Sequence, residues 1–98
     1  MKSHESSEAI EARELLSLVR FDGARVLDIG AGDGRYTVHF GMRARLSVLL
    51  DPDRDELTSA RQSLAADGIT RFAAHCGAAE RLPYANDSFD LAVFSWSL

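Results

Sequence analysis

The chemistry of this sequence is concentrated in one run, Val26-Leu27-Asp28-Ile29-Gly30-Ala31-Gly32-Asp33-Gly34. An apolar stretch enters three alternating glycines, which lets the backbone turn sharply and lets a ligand approach bare main chain. A dinucleotide site needs G-x-G-x-x-G, with the last glycine where helix and strand pack closely. Counted from Gly30 that position holds Arg35, so the pattern fails. No Gly-Lys-Ser/Thr follows either, which removes a P-loop. Free N–H groups at a helix start attract anions, but Asp28 and Asp33 flank this turn and oppose a pyrophosphate. The same carboxylates suit a cationic ligand. A turn that merely redirects the chain seldom needs three glycines.

A second acidic residue, Asp51, follows the apolar run Leu46 to Leu50 and precedes Pro52. In open α/β sheets, ligands bind beyond the carboxyl ends of strands, where an acid can accept both hydroxyls of a ribose. Asp51 could instead open the turn or cap the next helix, but Asp53 already supplies a cap. His39 reads as a surface or packing histidine. His75 and Cys76 read as the end of a strand: a lone cysteine closes no internal disulfide, and no second histidine or CxxC accompanies it.

Positioning these residues requires alternating strands and helices. Ser7 to Arg20 is predicted helical, with Ala12, Leu15, Leu16 and Val19 at helical spacing and Ser6 or Ser7 as cap. Arg25 to Ile29 is a strand, Arg35 to about Met42 a helix, and Leu46 to Leu50 a second strand. Asp53 and Glu56 have capping-box spacing; Leu57, Ala60 and Leu64 line one face; Gly68 fits a C′ position. Thr70 to His75 is a third strand, Gly77 to Ser88 a loop, and Phe89 to Trp96 a fourth strand. Three of the strands are apolar on both faces, the mark of a parallel sheet covered by helices.

The chain has 98 residues, 46% hydrophobic and 27% charged, with a formal net charge of −4. That is the composition of one soluble globular domain. The acidic balance and scattered Lys and Arg argue against DNA as a partner. No apolar run reaches the roughly 20 residues that span a bilayer, and Met1 to Glu8 lacks a signal-peptide core. A cytoplasmic location is expected. The chain stops almost on a strand, which reads as a fragment. Its exposed last strand, Leu91-Ala92-Val93-Phe94, is a candidate for self-association.

Asp28-Ile29-Gly30-Ala31-Gly32-Asp33-Gly34 resembles the first motif of class I S-adenosylmethionine-dependent methyltransferases, and Leu50-Asp51-Pro52 resembles their second. Gly77-Ala78-Ala79-Glu80-Arg81-Leu82-Pro83-Tyr84-Ala85-Asn86-Asp87-Ser88-Phe89-Asp90 is similar to the "GDAExLPFxxxSFD" stretch of the subfamily that includes ubiquinone and menaquinone biosynthesis enzymes. The resemblance covers about Leu15 to Leu98. It implies a Rossmann-like parallel sheet with helices on both faces, in the order 3-2-1-4-5-7-6. Residues 1–98 would be the N-terminal part of that domain, truncated after the fourth strand.

The implied cofactor is S-adenosylmethionine, with S-adenosylhomocysteine as product, and the implied partner is a small-molecule methyl acceptor. Gly30, Ala31 and Gly32 would give close approach, and Asp28 polar contacts toward the methionine part. Asp51 with Pro52 would take the ribose, Ala79 and Glu80 the adenine edge, and Ser95 would face the cofactor. The family usually has aspartate at Ala78, which accepts from the adenine amino group; losing that bond costs on the order of 1 kcal/mol. No residue takes a catalytic role. A non-catalytic cofactor-binding or self-associating module is the alternative.

Overall fold

The computed structural model describes residues 7–78 and 88–95, with side chains from residue 13 onward. The elements are α1 (Ser7–Leu18), β1 (Arg25–Ile29), β2 (Leu46–Asp51), α2 (Arg54–Ala66), β3 (Phe72–Cys76) and β4 (Leu91–Phe94). The strands form one sheet in the order β3-β2-β1-β4, with every neighbouring pair parallel. This is the Rossmann-like parallel sheet that the resemblance implies, with β1 and β2 at its centre; the helices described, α1 and α2, pack on one of its faces.

Register decides what each face carries, because partners on adjacent strands project to the same side. Asp28 pairs with Leu49 and Val93, and Val26 with Ser47 and Leu91. That face receives the helices. Leu16 of α1 clusters with Phe21, Val26, Phe40 and Val93, while Leu49 packs with Leu57, Ala60, Leu64 and Ile69. The opposite face gathers Leu27, Ile29, Val48 and Leu50, with Phe89 against them. The central strands are thus buried on both sides, which is why they read as unbroken apolar runs. Leu49, Leu50 and Leu64 are each at most 1% exposed, and such burial contributes about 1.5–3 kcal/mol per side chain. The outer strands differ. Ala73, His75, Cys76, Ala92 and Phe94 are exposed, since β3 and β4 are edges.

The second helix forms as its sequence dictates. The Asp53 carboxylate accepts the N–H groups of Asp55 and Glu56. The reciprocal half of the capping box is replaced: Asp51 Oδ1, not Glu56, accepts the Asp53 N–H at 2.8 Å. At the other end Gly68 has φ +78°. Its N–H donates to Ala65 and that of Ile69 to Leu64, completing a Schellman motif sealed by the Leu64–Ile69 contact.

Two local expectations change. In α1 the described apolar side chain that is buried is Leu16, while Leu15 and Leu18 are 56% and 82% exposed. The helix touches the sheet along a narrow line. Between Arg35 and Met42 there is no α-helix but a 3-10 turn, Thr37–His39. Its hydrogen bonds mix i−3 and i−4 reaches: Phe40 to Thr37, Gly41 to Thr37, Val38 to Gly34. Tertiary anchors decide this. Thr37 is tied to Asp28, and Phe40 stacks on Phe21 with ring centroids 4.5 Å apart. A 3-10 turn places residues i and i+3 on one side, so both anchors reach the sheet. Arg43 finishes the corner: its guanidinium lies over Phe21 and donates to the carbonyls of Leu16, Val19 and His39.

Candidate cofactor-binding site

The carboxyl ends of β1, β2 and β4 lie side by side. Ile29 pairs with Leu50 and with Phe94, so Gly30, Asp51 and Ser95 come next on their three chains. The glycine turn is left-handed at each glycine, with φ of 71°, 58° and 82° at Gly30, Gly32 and Gly34. Any other L-residue there costs roughly 1–2 kcal/mol. The N–H groups of Gly30 and Ala31 both donate to the Leu50 carbonyl, at 2.8 and 3.2 Å, which fastens the turn to β2. Ala31 is itself buried beneath α2.

Asp51 braces the same turn. Its Oδ2 accepts the Gly32 N–H at 2.8 Å, while Oδ1 holds Asp53. A carboxylate has about four acceptor positions, so two donors leave room for hydroxyls. Among the described residues, a Cβ built on Gly32 would meet one atom within 4 Å, the Glu56 Oε2 at 3.8 Å. The bare main chain of Gly32 therefore faces open space rimmed by a carboxylate.

Asp28 lies deeper than the sequence suggested. It is fully buried and accepts hydrogen bonds from the Thr37 Oγ1 at 2.5 Å and from the Ser95 Oγ. Burial is the main cause that lifts its pKa from 3.8 to about 6; the two hydroxyls pull it down and the nearby Asp51 pushes it up. Ser95 faces Asp28 inside the molecule. Asp33 turns outward, where Arg35 Nε meets its carboxylate at 3.1 Å. The carboxylates next to the Gly32 main chain are thus those of Asp51 and Glu56, while Asp28 lies buried beneath the turn and Asp33 pairs outward with Arg35.

No local pattern in the sequence singles out Thr37. Glu56 carried only a capping signal. Pro52 accepts a weak bond from the Cys76 thiol through its carbonyl, at 3.4 Å. Ala78 is exposed, and Ala79 and Glu80 lie outside the described residues. An open groove of about 380 Å³ runs between the 3-10 segment and the end of α2, lined by Asp33, Arg35, Val38, Ser63 and Asp67 among others. It includes none of Asp28, Asp51 and Ser95.

Residues 26–98, which contain all of these strand ends, match a family described as a methyltransferase domain. The chain belongs to that family. The methyltransferase glycine turn at β1, the acid at the end of β2 and the 3-2-1-4 strand order make it a class I, S-adenosylmethionine-dependent type. The chain is similar to the biotin biosynthesis bifunctional protein BioHC of Cellvibrio japonicus, 38% identical over 78% of this chain and 14% of that protein. Among solved structures, the YcgJ protein of Bacillus subtilis is 28% identical with a TM-score of 0.74, over 85% of this chain and 36% of that one. Phosphoethanolamine N-methyltransferase 1 of Haemonchus contortus, solved with phosphoethanolamine and S-adenosylhomocysteine, is 27% identical with a TM-score of 0.75. There the overlap is 86% of this chain and 18% of that one. The chain therefore spans well under half the length of these relatives. Among its described residues no helix is long and apolar enough to cross a membrane.

Proposed function

We propose that residues 1–98 form the cofactor-binding part of a methyltransferase that acts on a small molecule. The donor is S-adenosylmethionine, and S-adenosylhomocysteine remains after transfer. One observation carries the reading: Asp51, at the end of β2, clasps the Gly32 N–H at 2.8 Å and keeps acceptor capacity free. An exposed glycine backbone and a two-oxygen acceptor then stand together at the strand ends, where such sheets bind ligands.

The groups present fit that cofactor. Its ribose hydroxyls match the free acceptor positions of Asp51, with Pro52 fixing the chain beside them. Its positive charges match the acids around Gly32, while a pyrophosphate would meet Asp51 and Glu56 at close range. Gly30, Ala31 and Gly32 supply backbone against which the ligand lies, and Asp28 with Ser95 supplies polarity beneath the methionine part. Ala79 and Glu80 take the adenine edge through their backbone. When bound, the sulfonium supplies an electrophilic methyl group for in-line displacement. The chain's task is to orient it and exclude water. No acid or base of this chain is needed for that.

Binding one ligand to the folded state raises the melting temperature, with a stabilisation that grows as the logarithm of ligand concentration over Kd. A thermal-shift competition is therefore the test. S-adenosylhomocysteine is expected to stabilise the protein and NAD to leave it unchanged; stabilisation by NAD alone would overturn the reading.

A second reading is self-association. Among the described residues β4 ends the sheet on one side, and Phe94 on it is 48% exposed. An apolar edge strand invites another strand. Light scattering that shows a monomer at high concentration removes this reading.

A further inference from the structure

We propose that Thr37 is a positioning residue of the cofactor site: with Ser95, its hydroxyl fixes the Asp28 carboxylate beneath the glycine turn as a standing negative charge for a cationic ligand. The inference rests on the cofactor reading above.

Three segments distant in sequence converge on one side chain. Asp28 is the next-to-last residue of β1, two residues before Gly30, Thr37 lies in the 3-10 turn, and Ser95 follows β4. Asp28 and Thr37 are 0% exposed and Ser95 4%. Each hydroxyl has one proton to donate, and each is aimed at a different oxygen of the carboxylate. Apolar side chains fill much of the same face, Val26, Phe40 and Val93 with Tyr36 against them. Valine would pack there as well as threonine, so the hydroxyl is what distinguishes this position. A hydrogen bond donated to a carboxylate favours the charged form, while burial and like charge oppose it.

The charged groups around the site act accordingly. From β2, Asp51 faces Asp28 and works against its ionisation. The turn and β4 present the two hydroxyls that work for it, and α1 brings Leu16 to this face. Arg35 and His39, on either side of Thr37, are exposed. Losing the Thr37 hydroxyl shifts the balance toward the neutral acid, so that the charge under the turn is only partly present near neutral pH.

Carboxyl-carbon NMR of Asp28 tests this without ligand, beside S-adenosylhomocysteine calorimetry from pH 5.5 to 8.5 on the same chain. In the wild type Asp28 is expected to titrate near pH 6 because burial pushes its carboxyl up. Thr37→Val is expected to move that midpoint up by about one unit and to weaken binding roughly threefold near pH 6.5, with the loss shrinking toward pH 8.5. Thr37→Ser should restore both. Ser95→Ala should act in the same direction as Thr37→Val, and serves if the valine variant does not fold. An unmoved Asp28 midpoint, or one constant factor of lost affinity at every pH, overturns the positioning role alone. A wild-type chain that binds no S-adenosylhomocysteine while the midpoint still moves overturns the cofactor reading, and the positioning role with it.

Discussion

Gly34 lies against Ala60: a Cβ built on the glycine would stand 3.3 Å from the Ala60 Cβ and 3.6 Å from its Cα. The third glycine of the turn is therefore where α2 packs onto the chain, while Gly32 keeps its open side. Gly34 also has φ +82°, so a side chain there meets both backbone strain and a helix backbone that cannot give way. Gly23, at φ +72° with nothing within 4 Å, isolates the strain. Gly23→Ala should cost about 1 kcal/mol and Gly34→Ala about 2–4 kcal/mol. Chemical denaturation of the two variants checks the difference. Equal losses would show that the α2 contact contributes nothing.

Asp28 makes stability depend on pH in an unusual direction for a carboxylate. Its pKa rises from 3.8 to about 6 on folding because burial penalises the charge. Between those values the folded state holds a proton that the unfolded state has released. The associated stability is complete below about pH 4 and is lost as pH rises through about 6. A shift of this size corresponds to roughly 3 kcal/mol. Asp28→Asn should abolish that component, so wild-type stability should fall relative to that of the variant as pH rises through this window, and the two profiles should differ in slope. Parallel profiles from pH 4 to 6.5 would contradict the assignment.

Ser47 is a buried group without compensation. Its hydroxyl, on the helix-facing side of β2, has no hydrogen-bond partner among the described residues and is 0% exposed. An unsatisfied buried hydroxyl carries a desolvation cost that alanine removes. Ser47→Ala should stabilise the protein by about 1 kcal/mol in denaturant titrations, whereas a loss of similar size would reveal a partner for the hydroxyl.

The features legible in the sequence were those whose causes are local. Asp53, Leu57, Ala60, Leu64 and Gly68 specify α2 through caps and spacing within one helix, and the structure follows them. The apolar runs of β1 and β2 announce burial on both faces by themselves. Strand order needed the family resemblance, because no spacing within the chain states which strand neighbours which. The segment after the glycine turn misled because its conformation depends on distant partners: Thr37 on Asp28, Phe40 on Phe21. Asp28 misled for the same reason. Its proximity to the turn was evident, but its burial depends on Ser95, which is 67 residues away. Asp51 was recognised as a strand-end acid, while its bond to the Gly32 N–H required the two strands to be placed side by side.

In the proposed function, Asp51 serves a bound nucleoside as well as the turn. Calorimetric titration of S-adenosylhomocysteine into the wild type and Asp51→Ala measures this most directly, with a melting curve to confirm that the variant is folded. Loss of a charge-assisted contact of about 1.5–3 kcal/mol predicts binding weaker by roughly 10- to 100-fold. A folded Asp51→Ala variant that binds the nucleoside as tightly as the wild type would contradict the account.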